Sequence, residues 1–198
     1  MSHAFIFIGR SGCGKGTQAE LLKKFLASHG EDTFYVETGD KFRSFISEKG
    51  YVNKLSHDAY LTGKLQPSFL ACHMWTAVLL ESYTGTQSII FDGVARTLTE
   101  AHVIKSALEF FGFVKPMIIH INVSRDWSRE RLKARKRSDD VNPEEIEKRL
   151  NWFENDTVPA LKFFANDLYF AYFDVNGEQA IEAVNTEFME KVSPLLSI

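Results

Sequence analysis

The sequence predicts an α/β protein in which a five-stranded parallel sheet is flanked by helices. Three observations carry that expectation. Five short apolar runs, bounded by turn residues, read as strands. Stretches of helical period alternate with them, and such alternation covers a parallel sheet on both faces. The first strand runs straight into a glycine-rich loop and a lysine at the start of a helix, "GRSGCGKGTQ" from Gly9 to Gln18.

Each element has its own grounds. Strands are expected at Phe5–Ile8, Thr33–Val36, Ser88–Phe91, Met117–Val123 and Tyr169–Asp174, all rich in Ile, Phe, Val or Tyr. Helices are expected at Gly14–Ser28, with Ala19, Leu22 and Leu26 on one stripe, and at Thr99–Phe111, Ser124–Lys136, Pro143–Asp156 and Gln179–Leu195. Pro143 presets the first helical φ, and Glu144 and Glu145 follow at the positive end of that helix. About fifty residues separate the second and third strands, far more than a short crossover needs. They read as several short helices. The excess, about residues 40–71, predicts a lobe inserted into a core of residues 1–39, 72–130 and 143–198. A smaller excursion follows Arg135, and no linker divides the chain.

The chain has 198 residues, enough to bury roughly 70% of its unfolded surface as one domain. Apolar residues make up 44% and charged residues 25%, so the 17 Phe are read as core. A net charge of −3 gives no field to steer the molecule onto nucleic acid or anionic membrane, and neither is expected as a partner. Cys13 and Cys72 have no metal-ligand spacing and no disulfide framework, which fits a reducing cytoplasm. The opening "MSHAFIFIGR" has too short an apolar run for a signal peptide or a membrane helix.

The glycine loop carries the chemistry. Gly9, Gly12, Gly14 and Gly16 let backbone N–H groups face an anion, the following helix adds its positive end, and Lys15 adds a point charge. This is a nucleotide triphosphate site. Most such loops place a serine or threonine directly after the lysine to bind magnesium; here Gly16 stands there and the hydroxyl is delayed to Thr17.

That string, G-x-x-G-x-G-K-G-T-Q, resembles the phosphate loop of adenylate kinases and the related UMP/CMP kinases. Further motifs follow in the family's order. "TGDKFR" from Thr38 resembles T-G-D-x-L-R, "GKLQP" from Gly63 resembles G-x-L-V-P, and "FDGVAR" from Phe91 resembles D-G-F-P-R. "ERLKARKRSDD" from Glu130 resembles a short lid at residues 131–142, and "IEKRL" supplies Arg149. The resemblance spans essentially the whole chain. It implies strand order 2-3-1-4-5 and two parts that close over substrates, the lobe and the lid. It implies ATP binding by Gly12, Cys13, Gly14, Lys15, Gly16, Thr17, Arg131 and Arg135. It implies monophosphate binding by Thr38, Arg43, Gln66, Gly93, Arg96, Glu100, Arg137 and Arg149, with Lys15, Arg96, Arg137 and Arg149 catalytic. Magnesium would be held largely through water by Asp92, with Thr17 beside it. The implied partners are ATP and a nucleoside monophosphate, on a monomer.

The arginines make independent sense. Phosphoryl transfer needs two phosphorylated substrates in line and charge stabilised on the transferring group. Arg is permanently charged, with a planar fork that matches phosphate oxygens. Arg131 and Arg135 share a helical face. The seven basic residues from Arg125 to Arg137 also admit a solvated helix or a nucleic-acid patch, but carboxylates follow at once. Arg125 and Arg129 are read as surface residues, Cys13 as a small loop filler, and Asp139 and Asp140 as a turn or as lid residues.

The chain departs from the family pattern at Ser11 for proline, at Val94-Ala95 for Phe-Pro, and in a lid with only Lys136 between Arg135 and Arg137. The segment from Asp140 to Arg149 runs one residue longer than usual. At the base-reading positions it carries Gln66 for valine and Glu100 for glutamine. An ionised Glu100 only accepts hydrogen bonds, so base discrimination weaker than a glutamine's is expected. The expected reaction is MgATP with AMP to two ADP. The alternatives are a kinase for CMP, UMP or GMP, and a nucleotide-sensing module that barely turns over.

Overall fold

The computed structural model describes residues 2–62, 64–135 and 142–196. Five strands, β1 (Ala4–Ile8), β2 (Thr33–Glu37), β3 (Ser88–Asp92), β4 (Met117–Asn122) and β5 (Ala171–Asn176), form one sheet in the order β2-β3-β1-β4-β5. All four pairings are parallel, with Phe5 opposite Ile90 on one side and Met117 on the other. The expected strand order and parallel sheet are therefore observed.

The two-residue side-chain period of β1 divides the core. Phe5 and Phe7 face one layer, where α1 (Lys15–Ser28) contributes Ala19, Leu22 and Leu26 and α9 (Ile181–Val192) contributes Val184, Phe188 and Val192. Ala4, Ile6 and Ile8 face the other. There α4 (Ser68–Ser82) brings Trp75 and Leu79, α5 (Leu98–Phe110) brings Ile104 and Leu108, and α8 (Val158–Asn166) brings Leu161 and Phe164. Both faces of every central strand are buried, which explains their unbroken apolar runs.

The helices after β1 and β3, α1 and α5, lie on opposite faces. Their divergence opens a crevice at the carboxyl ends of these neighbouring strands, the position where open α/β sheets bind ligands. Between β2 and β3 run α2 (Thr38–Ser47), α3 (Tyr51–Leu61) and then α4. Asn53 Nδ2 donates to Phe45 O at 2.8 Å and so joins α2 to α3. Beyond β4, α6 (Arg125–Arg135) and α7 (Pro143–Trp152) share a small core of Leu132, Ile146 and Leu150. As expected, Pro143 opens its helix, with Asn142 Oδ1 capping the Glu144 N–H at 2.9 Å.

Three boundaries differ from the sequence expectation. The helix expected to reach Asp156 ends at Trp152, continues as a π turn at Phe153–Thr157, and is followed by α8, which was not expected. Pro159 interrupts the periodicity; in the first turn of α8 its missing N–H needs no helical partner. β5 starts at Ala171, because the Asp167 carboxylate accepts the Tyr169 N–H at 3.0 Å and holds the preceding aromatics in a turn. Finally, α4 is a 15-residue helix rather than a short one. Among the described residues no helix is long and apolar enough to cross a membrane.

Candidate active site

The crevice is a cleft of about 940 Å³ walled by the ends of β1 and β3, the glycine loop, α2, the segment before α4, and α6 and α7. Its floor is the loop after β1. Gly12 and Gly14 have φ of 83° and 93°, a left-handed region that a side chain would strain. Gly14 caps α1 without any side chain, and no acidic residue stands in the first turn. The positive end of α1 thus meets the cleft with Lys15, Gly16 and Thr17 on its wall. The Ser128 hydroxyl of α6 donates to Ser11 O and pins the loop from behind.

The displaced hydroxyl now has a steric reason. A Cβ on residue 16 would lie 2.9 Å from Asp92 Oδ2, at the end of β3. The Tyr35 hydroxyl donates to that same oxygen at 3.2 Å. Burial, and then Asp92 itself, push the Tyr35 pKa well above its ordinary value, so the phenol remains a donor. Glycine at 16 therefore leaves room for a carboxylate held against the phosphate loop. Gly16→Ala should keep the fold and displace Asp92. If Asp92 holds Mg²⁺ through water, as the sequence resemblance implies, the Mg²⁺ concentration for half-maximal turnover should rise about tenfold, the scale of a disturbed outer-shell contact. An unchanged Mg²⁺ titration would show that the close approach has no consequence.

The opposite wall carries the other expected residues. Thr38 begins α2 immediately after β2, and its hydroxyl donates to Gly93 O at 3.3 Å. Arg43, one turn on, lies 3.8 Å from Glu37. Gln66 lines the cleft but turns both amide atoms onto α3: its Oε1 accepts the Ser56 hydroxyl at 2.6 Å and its Nε2 donates to Ser56 O at 3.0 Å. Arg96 donates from Nε to Gly93 O at 2.7 Å. In the turn that presents it, Val94 and Ala95 are buried, and Ala95 has φ 57°. A left-handed non-glycine residue costs roughly 1–2 kcal/mol, so the surroundings must hold it. Glu100 also lines the cleft. It is only 4% exposed, and burial pushes its pKa up against the opposing Arg96 N–H and charge.

From the third side come Arg131 and Arg135 of α6 and Arg149 of α7, all on the cleft wall. Arg131 lies over the Trp127 ring, 5.0 Å from its centroid. Cys13 alone among the described site candidates does not face the cleft. Its thiol is buried beneath Gly9, and burial pushes its pKa up despite nearby Lys15, so it is a protonated core group. Arg137, Asp139, Asp140 and Lys136 lie outside the described residues, as does Gly63.

Several lining residues carry no sequence signal. Thr157, in the π turn, donates from Oγ1 to Arg96 O at 2.9 Å, and Phe153 and Trp152 line the wall beside it. Arg10 reaches from the phosphate loop to Glu154 at 2.6 Å and covers the Phe153 ring. The charge network continues into the lid-flanking helices. Arg125 donates to Glu147 at 2.7 Å, and Arg129 pairs with Glu147 and Asp126. Arg125 and Arg129 are thus a clamp between α6 and α7 rather than merely solvated cations.

The hydrogen bonds from Arg129 and then Arg125 hold the Glu147 carboxyl down at about 2, against an ordinary 4.5. A depressed carboxylate stabilises the fold fully above the unfolded value and loses that contribution as pH falls through the folded one. Comparing Glu147→Gln with the parent by thermal unfolding should therefore show a gap that is constant above about pH 4.5 and closes toward pH 2. A gap independent of pH would place the clamp's contribution elsewhere.

A family model described as adenylate kinase matches residues 7–168. The chain is 31% identical over 180 residues to a protein named adenylate kinase from Corynebacterium diphtheriae, covering 91% of this chain and 93% of the relative. It is 32% identical over 169 residues to one of that name from Porphyromonas gingivalis, covering 83% and 82%. A third, from Bacteroides thetaiotaomicron, is 28% identical over 195 residues, 96% of this chain and 98% of its own.

Proposed function

The chain belongs to the adenylate kinase family, and on that premise we propose that it transfers the terminal phosphoryl group of MgATP to AMP, giving two ADP. One observation carries the reading: Lys15 and the glycine loop line a single cleft together with Arg43, Arg96 and Arg149. Two phosphorylated substrates placed there meet cations on both sides of the transferring group, and the developing charge is stabilised by groups already in position.

Roles follow from the elements that hold each residue. The loop N–H groups and Lys15 bind the donor phosphates, and Lys15 follows the transferred group. Thr38, Arg43, Gly93 and Arg96 hold the acceptor phosphate. Arg137 and Arg149 would straddle the transferring phosphoryl group and bind the monophosphate, Arg135 would reach the donor phosphates, and Arg131 would pack on the donor base. Gln66 and Glu100 line the acceptor base. Bound Mg²⁺ would neutralise donor-phosphate charge, and Asp92 and Thr17 would hold it through its waters. A carboxylate steadied by Tyr35 beside the glycine loop fits a cation that dehydrates reluctantly and is held through its waters.

Residues 40–71 and 131–142 would move to close the site and exclude water. Lys148 Nζ on α7 donates to Thr62 O, in the first of these parts, at 3.1 Å. Arg125 and Arg129 are already paired with carboxylates, which fits the proposed absence of a nucleic-acid partner, and the free thiols of Cys13 and Cys72 fit the proposed reducing cytoplasm; a monomer is part of the same proposal. The test incubates pure protein with MgATP and each of AMP, GMP, CMP and UMP, then separates the nucleotides. AMP-dependent formation of ADP is expected. Faster use of another monophosphate would overturn the acceptor assignment, and binding without turnover would overturn the kinase reading.

A further inference from the structure

Glu100 stands three residues after Thr97, the N-cap of α5, in a T-x-x-E pattern. The reciprocal box is made on one side: Glu100 N–H donates to Thr97 Oγ1 at 3.2 Å. The carboxylate, however, reaches back past the cap. Its Oε1 accepts the Thr97 hydroxyl at 3.1 Å, and its Oε2 accepts the Arg96 N–H, next to Ala95, at 3.2 Å. Successive N–H groups around a left-handed residue form a concavity suited to an anion. Here the anion is the protein's own side chain, and the left-handed residue is the buried Ala95.

This turn does one visible thing. Arg96 N–H is bound to Glu100, Arg96 O to Thr157, and Arg96 Nε to Gly93 O. With backbone and Nε held, the Arg96 side chain is fixed on the cleft wall. Both carboxylate oxygens of Glu100 are meanwhile engaged by the turn.

We infer that Glu100 is a positioning residue for the acceptor phosphate: its carboxylate holds the left-handed Ala95 turn, so aims Arg96, and it does not select the acceptor base. The inference rests on the kinase reading above, because the acceptor phosphate is what Arg96 is aimed at.

The chemistry separates positioning from base reading. A glutamine at 100 can keep the turn, since its oxygen still accepts the Arg96 N–H and its amide donates to the Thr97 hydroxyl, which can accept as well as donate. The same change reverses what a base would meet at one atom, from acceptor to donor. Alanine keeps neither contact.

Kinetics of the parent, E100Q and E100A test this, with relative affinity for AMP and GMP measured by competition binding. E100A should raise the KM for AMP about tenfold, the scale of a lost charge-assisted bond, while the KM for MgATP stays within about twofold. E100Q should restore the AMP KM to within about threefold of the parent, with the AMP-to-GMP ratio unmoved. In a background lacking the Arg96 side chain (R96A), E100A should add less than about twofold. A tenfold change of the base ratio in E100Q would overturn the inference by making Glu100 a base reader. Equal losses for MgATP and AMP, or full additivity with R96A, would overturn it by making Glu100 a general structural support. If E100A does not fold, E100Q decides alone through its AMP KM and base ratio. Failure of the kinase reading itself is separate: the parent would then turn over no monophosphate at all.

Discussion

Lys15→Ala should abolish most turnover, by at least ~10²-fold, and leave the protein folded. The side chain stands at the first position of α1 on the cleft wall and belongs to neither apolar layer of the sheet. Alanine is the best helix former, so the substitution does not weaken α1. What would be lost is the Lys15 ammonium on the cleft wall, which in the proposed role follows the phosphoryl group as negative charge moves from donor to acceptor. Steady-state kinetics with MgATP and AMP measures the loss, and thermal unfolding monitors the fold. Near-normal turnover in a well-folded variant would sink the assignment of the glycine loop as the donor phosphate site.

Arg96→Ala should divide the two substrates. Arg96 follows the end of β3 and lines the same cleft as Lys15, and in the proposed assignment its loss falls on the acceptor. A charged hydrogen bond contributes ~1.5–3 kcal/mol, which corresponds to roughly 10–100-fold in the KM for AMP with little change for MgATP. The turn should survive, because Thr38 still donates to Gly93 O and Glu100 still accepts the backbone N–H of residue 96. Separate saturation curves for the two substrates provide the check. A fall in ATP affinity with AMP unaffected would place this arginine on the donor side.

Much of the fold was legible because its signals are short-range. An apolar run, a glycine turn, a lysine and a helix start are contiguous in β1 and α1, and backbone preferences act over just such distances. Pro143 with two following glutamates was likewise sufficient to start α7. The helix α8 was not legible: Pro159 breaks the periodic pattern, and a π turn re-phases the chain just before it. The site was legible as a set of types rather than as a geometry. Gln66 was readable as a cleft residue, but its pairing with Ser56 on α3 was not, and Cys13 was readable as part of the loop while its side chain faces the core.

By itself the sequence determined the parallel sheet, its glycine-loop floor and the arginines that line the cleft, since these follow from local pattern and from residue types in a known order. Only the tertiary structure decided what each of them touches. Asp92 meets the position of Gly16 because β3 lies beside β1 in the sheet, although 76 residues separate them in the chain. Glu154 reaches Arg10 across 144 residues, and Arg129 meets Glu147 across 18. Such contacts depend on strand order and helix packing, which bring distant side chains within a few ångströms. No residue's own preference encodes its partner, so the reason for Gly16, the clamp on α6 and α7, and the hold of Glu100 on Arg96 exist only once the chain is folded.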